Sequence, residues 1–179
     1  MSVLSTHTGS AALTWWMTGL SGAGKSTLAQ AWAQQLRQLN HPVCILDGDE
    51  LRSGLSQDLG FSPEDREEQM RRVAEIAKIL NQSGICCIVA LISPTLHGRN
   101  KAREIIGAAR MREVYLSTPL EICQQRDVKG LYQQARQQPG LQLTGVRAPY
   151  QAPINPDFSI DTSVLTLEQA LAQLMTSLP

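Results

Sequence analysis

Gly19-Leu-Ser-Gly-Ala-Gly24-Lys25-Ser26 fits the spacing G-x-x-x-x-G-K-[ST]. Each residue type there has chemical work to do around a phosphate. Glycine permits backbone dihedrals that turn successive N–H groups inward as an anion nest, and a following helix adds its positive end. The ammonium of Lys25 reaches β- and γ-phosphates in such loops, and the Ser26 hydroxyl can ligate Mg²⁺. Two carboxylates, Asp47 and Asp49, flank Gly48 further on. His7, His41 and His97 are scattered and form neither a metal nor a triad pattern.

The elements around these residues place them together. Leu13–Thr18 reads as a strand entering the glycine loop, and Lys25–Leu39 as a helix leaving it, with Leu28, Trp32, Leu36 and Leu39 on one face. Val43–Leu46 is a short apolar strand delivering Asp47 and Asp49. Ser62-Pro63-Glu64-Asp65 opens a helix running to about Asn81. Ile85–Ile92, continuously apolar and β-branched, predicts a central parallel strand buried on both faces. A helix is expected over 101–109, a strand over 113–116, a helix from Pro119 and a last strand over 158–160. Thr166-Leu-Glu-Gln169 is a capping box that opens a final helix. Residues 137–157, with four Pro and two Gly, read as a long ordered loop or lid. Alternating strands and helices predict an α/β fold: a doubly wound parallel sheet with helices on both faces, a three-layer sandwich of the P-loop NTPase type. In such sheets ligands bind at the carboxyl ends of the strands, which puts the two carboxylates beside the phosphate loop.

Length and composition narrow the class. The chain has 179 residues, 42% hydrophobic and 18% charged, with Lys+Arg and Asp+Glu both 16. That suits one domain with a real core. It gives no global electrostatic footprint for nucleic acid or an anionic membrane. The expected division is an N-terminal arm, 1–12, and one domain, 13–179, with a lid over about 119–157. No export signal is apparent, and the four cysteines, 44, 86, 87 and 123, lack metal spacing. The expected location is therefore the cytoplasm. No guanine-reading N-K-x-D is present, and the central strand ends Leu91-Ile92-Ser93 without an acid. The pattern is that of a small-molecule kinase.

The residues resemble one family, the adenylylsulfate kinases. The similar segments are Trp16–Thr27, Leu46–Arg52, Leu59–Arg66, Arg71-Arg72-Val73, Ile92-Ser-Pro94, Thr118–Glu121, Arg126–Tyr132, Leu143-Thr-Gly145 and Ala148-Pro-Tyr150. The resemblance implies transfer of the ATP γ-phosphate to the 3′-hydroxyl of adenylylsulfate. Gly19, Ser21, Gly22, Ala23, Gly24, Lys25, Ser26 and Thr27 would hold the ATP phosphates, with Arg126 and Lys129 in the lid. Ser26 and Asp47 would hold Mg²⁺. Asp49 would be the base or orienting group, Arg52 and Arg66 would clamp the phosphosulfate, and Phe61 would pack on the acceptor adenine. Gln69, Ile92, Ser93, Lys129 and Leu131 complete the implied acceptor site. Ser93 matches the family's phosphoserine position, although direct transfer needs no phosphoenzyme. Family members are typically homodimers.

The chain departs from the family pattern at Glu50, Gln69, Leu96 and Arg147. These positions are expected to surround the acceptor, with Glu50 disfavouring a more negative acceptor such as ADP. Two rival readings therefore stand: a kinase for another nucleotide-linked anion, and a non-catalytic nucleotide-binding subunit.

Overall fold

The computed structural model describes residues 11–138 and 140–178. The arm expected over 1–12 lies almost wholly outside them, though Ala12 is already packed into the core. Five parallel strands form one sheet: β1 (Thr14–Thr18), β2 (Val43–Asp47), β3 (Cys86–Ala90), β4 (Met111–Leu116) and β5 (Phe158–Ile160). Their order is β2-β3-β1-β4-β5. Register pairs Trp16 with Val89 on one side and with Glu113 on the other. β1 is thus the middle strand and is buried throughout.

Alternation along the central strands feeds two cores. Trp15, Met17, Cys86, Ile88 and Ala90 pack with Leu28, Trp32 and Leu36 of helix α1 (Lys25–Gln38) and with Leu174 of the C-terminal helix. Trp16, Cys87, Val89 and Leu91 face the other way. They meet Met70, Val73 and Ala77 of a 20-residue helix (Pro63–Gln82) and Ala102 and Ile106 of another (Leu96–Ile106). Cys86 and Cys87 therefore lie in opposite cores, and all four cysteines are free.

Three segments differ from the reading above. A six-residue helix, α2 (Gly48–Ser53), follows β2, and the 20-residue helix is thus α3. Helix α4 begins at Leu96, not 101, because the Thr95 hydroxyl accepts the Gly98 N–H at 3.1 Å and caps it. Gly98 itself sits against α3, where a Cβ would fall 2.1 Å from Met70 Cε. Helix α4 stops at Ile106, and β4 starts at Met111, two residues earlier than expected. The expected lid contains two short helices, α5 (Leu120–Arg126) and α6 (Leu131–Gln137), before the irregular run to β5. Helix α7 (Leu167–Met175) opens on the capping box at Thr166 and Gln169. Among the described residues no helix is long and apolar enough to cross a membrane.

Candidate active site

Because all five strands run the same way, the segments after them converge on one edge. There they enclose a cleft of about 860 Å³. Its floor is formed by Ser21, Gly22 and Gly24 of the loop from Gly19 to Gly24. Gly22 and Gly24 hold φ of 79° and 96°, and a Cβ on Gly22 would stand 2.9 Å from the Cys123 carbonyl oxygen. Only glycine fits this curl without strain. Gly19 and Ala23 do not line the cleft. Ala23 is fully buried, its N–H closing a turn onto Leu20 O at 3.2 Å. Their part is to shape the loop from beneath. Ser21, Gly22, Gly24, Lys25, Ser26 and Thr27 all face the cleft.

Lys25 Nζ donates to Gly19 O at 2.9 Å and Leu20 O at 2.7 Å, so its ammonium is fixed at the loop's rim. Burial, reinforced by the nearby Lys129 ammonium, brings its pKa down from 10.5 to about 8. Ser26 Oγ donates to Asp47 Oδ2 at 2.7 Å. The other Asp47 oxygen accepts the Asp49 N–H at 3.0 Å and caps α2. Helix α2 therefore aims Asp49 across the phosphate loop, where its Oδ2 meets Lys129 Nζ. Two ammoniums and two carboxylates converge above the loop.

Lys129 is held there by local structure. Asp127 accepts the N–H groups of Tyr132 and Gln133 at 3.0 and 2.9 Å and so caps α6. The Tyr132 hydroxyl donates to Ser21 O at 2.9 Å, tying α6 to the phosphate loop. Asp127 and Tyr132 belong to the stretch that marks the family, but neither carried an assigned role. Arg126 donates to Thr162 Oγ1 at 2.7 Å and Thr162 O at 2.8 Å, joining the end of α5 to the segment after β5. Beyond it Val128, Leu165 and Ala170 form an apolar end wall. Leu165 and Ala170 were not anticipated, because nothing in their spacing marks them.

The opposite end of the cleft is cationic and aromatic. Arg52 donates to Gly60 O at 2.6 Å and stands 4.4 Å from the Phe61 ring centroid. Arg66 Cζ lies 5.7 Å from the same ring, which is 64% exposed. Arg66 also donates to Phe61 O, Thr144 Oγ1 and Gln142 O, at 2.9, 2.9 and 3.0 Å. It thus bridges the start of α3 to the irregular segment before β5. Burial draws both guanidiniums below their usual range, and at Arg66 the neighbouring Arg52 charge acts in the same direction. Gln69 is buried in this wall, and its Oε1 has no partner among the described residues.

Ile92, Ser93 and Leu131 also line the cleft. Ser93 is 2% exposed and sits at φ 47°, its hydroxyl accepting Trp16 Nε1–H at 2.9 Å. Of the four departures from the family pattern, only Gln69 lines the cleft; Glu50, Leu96 and Arg147 do not. Glu50 lies instead toward Cys44, whose thiol burial raises first and the Glu50 charge raises further. The expectation that Glu50 screens the acceptor is therefore not met: the first turn of α2 cannot aim both Asp49 and its neighbour inward.

No cluster of three or more metal-ligating side chains occurs among the described residues. The Ser26 hydroxyl and Asp47 carboxylate, adjacent at the loop's edge, are hard oxygen donors of the kind Mg²⁺ takes alongside phosphate and water. The residues present fit that ion.

Comparison with known proteins agrees with this geometry. The family model described as Adenylylsulphate kinase matches residues 11–161. An adenylyl-sulfate kinase of Phocaeicola vulgatus is 49% identical over 160 residues, 89% of this chain and 78% of that protein. One of Paraburkholderia xenovorans is 45% identical over 163 residues, 91% and 90% of the two. The Mycobacterium tuberculosis APS kinase, solved in complex with AMPPNP and APS, superposes with a TM-score of 0.89 at 38% identity, over 93% of this chain and 96% of that one. A hexameric APS kinase from Thiobacillus denitrificans gives 0.69 at 30% identity, over 92% of this chain and 28% of that one. With a phosphate loop, an aimed carboxylate and paired guanidiniums in one cleft, and with relatives matching along nearly its whole length, the chain belongs to the adenylylsulphate kinase family.

Proposed function

We propose that the cleft transfers the γ-phosphate of ATP to the 3′-hydroxyl of adenylylsulfate. The observation that carries this is the pairing of Arg52 and Arg66 about an exposed Phe61, in the same chamber as Lys25 and Asp49. Planar guanidiniums suit a phosphosulfate, and an aromatic ring suits the adenine attached to it. At the other end, the apolar wall of Val128, Leu165 and Ala170 suits the adenine of ATP.

The chain's own residues then account for the reaction. Lys25 and the loop amides hold the β- and γ-phosphates. Asp49 orients the acceptor hydroxyl and takes its proton as the new P–O bond forms and ADP leaves. Lys129, lying against Asp49, passes to the phosphoryl oxygens and frees the carboxylate for that proton. Transfer is direct and in line, driven by positioning and electrostatic stabilisation. Ser26 and Asp47 would hold Mg²⁺, which would supply charge neutralisation to the nucleotide phosphates. The Ser93 hydroxyl, engaged by Trp16, is a positioning group rather than a phosphate carrier.

An assay with ATP and Mg²⁺ against a panel of nucleotide acceptors tests this reading, with adenylylsulfate expected as the preferred one. Phosphorylation of another nucleotide and not of adenylylsulfate would leave the fold assignment and remove the substrate. Homodimeric assembly and a cytoplasmic location are part of the same proposal. The free thiols support a reducing compartment, and sedimentation separates a dimer from a monomer or a hexamer.

A further inference from the structure

The segment from Gly54 to Ser62 joins α2, which carries Asp49 and Arg52, to α3, which carries Arg66 and Gln69. It also carries Phe61. From the cleft side Arg52 holds it through the carbonyls of Leu59, at 3.3 Å, and Gly60. From the outer side a second arginine holds it. Arg72, two turns into α3, makes a two-point contact with the Asp58 carboxylate, Nη1 to Oδ1 and Nη2 to Oδ2, each at 2.7 Å. Its Nη1 also donates to Leu55 O at 3.2 Å. Its Nε donates to Glu68 Oε1 at 2.9 Å, and Arg71 closes the network on the same Glu68. None of these four charged side chains lines the cleft.

The two grips are not equivalent. An anionic acceptor draws on the Arg52 guanidinium, which then competes with the Leu59 and Gly60 carbonyls. Arg72 faces away from any such ligand and keeps its hold. We propose that Arg72, acting through Asp58, is a positioning residue that keeps Phe61 and the acceptor end of the cleft in place while Arg52 engages substrate. This rests on the functional reading above. Charge supports the same picture: Arg71 and then Arg72 hold the Glu68 carboxyl at about 2, and the Arg72 hydrogen bond lowers that of Asp58, so the network stays ionised through the neutral range. Isolated exposed pairs contribute little, but the two-point geometry and the shared Glu68 put this one among the effective exceptions.

The test is a double-mutant cycle of Asp58→Ala, Arg72→Ala and both together, with KM measured separately for adenylylsulfate and ATP. Each single variant is expected to raise the adenylylsulfate KM roughly threefold to tenfold. The ATP KM, and kcat at saturating acceptor, should stay within about twofold. The double variant should be no worse than the weaker single, and Arg72→Lys should recover part of the loss. An unchanged acceptor KM, an equal rise in both KM values, or multiplicative effects would overturn the proposal. Hydrogen exchange over residues 54–61 reads the clamp without substrate: faster exchange in Asp58→Ala is expected, and unchanged exchange overturns it. Failure of the wild-type chain to phosphorylate adenylylsulfate would instead remove the functional reading. If Arg72→Ala does not fold, Asp58→Ala still decides the matter, because its carboxylate is largely exposed.

Discussion

At the scale of single residues, the proposed roles divide between holding phosphate and moving a proton. Lys25 lines the cleft and belongs to neither apolar core, so Lys25→Ala should remain folded. Its kcat should fall by roughly 10²–10³, the usual cost of one transition-state donor. Turnover like that of the wild type would sink the kinase reading. Asp49→Asn keeps the shape of the side chain and removes the base. A positioned base is worth about 10²–10⁴ in rate, so kcat should drop on that scale while the ATP KM barely moves. Asp47→Asn should shift the Mg²⁺ dependence instead, because Asp47 is the carboxylate in contact with Ser26. Identical behaviour of the two variants would deny that division. The structure also withdraws one expectation at this scale: with Glu50 outside the cleft, Glu50→Gln should leave acceptor choice as it was.

At the scale of elements, a buried ion pair ties the reaction edge together. Arg99 of α4 donates to Glu113 of β4 at 2.7 Å, to Ser93 O at 2.7 Å and to Gln151 O at 2.7 Å. It thereby fastens the segment after β3 and the irregular segment before β5 to strand β4. Removing one partner of such a pair leaves a charge stranded, which costs about 3–5 kcal/mol. Glu113→Leu should therefore lose stability on that order in denaturant unfolding, and a loss below about 1 kcal/mol would show the pair to be incidental. Much at this scale was legible beforehand. Strands β1 and β3 and helices α1 and α3 announce themselves through apolar runs, helical spacing and caps. Helix α2 does not, because six residues are too few to display a period and it opens on a glycine. The early start of α4 was hidden by Gly98, a poor helix former retained where α3 approaches. The phosphate loop was readable from its motif, and Asp49 and the two arginines, which line the same cleft, from the family resemblance. Arg99, Tyr132 and the apolar end wall were not, since their work depends largely on partners distant in the chain, 52 residues for Arg99 and Gln151 and 111 for Tyr132 and Ser21.

At the scale of the whole molecule, balanced charge conceals a local imbalance. The chain carries 16 basic and 16 acidic side chains, yet Lys25, Arg52, Arg66, Arg126 and Lys129 all face one cleft. Five parallel strands ending at one edge make that concentration possible, and desolvation makes it costly for the fold. Lys25 shows the cost most clearly, with a pKa near 8 in the folded chain against 10.5 ordinarily. Between those two values the unfolded chain holds a proton that the folded chain has released. Stability must then rise with pH through that window, as the penalty for a buried ammonium disappears. In Lys25→Met, which removes the titrating group, this contribution should vanish. The variant should exceed the wild type in denaturant midpoint near pH 7, and the gap should narrow toward pH 10.5. ATP reverses the same equilibrium, because its phosphates restore the charged lysine. Calorimetric titration at pH 8 in buffers of different ionisation enthalpy should therefore show net proton uptake on ATP binding to the wild type, and none attributable to this group in Lys25→Met. Proton release, or a midpoint gap that widens with pH, would mean that the lysine is not the desolvated group on which nucleotide binding acts.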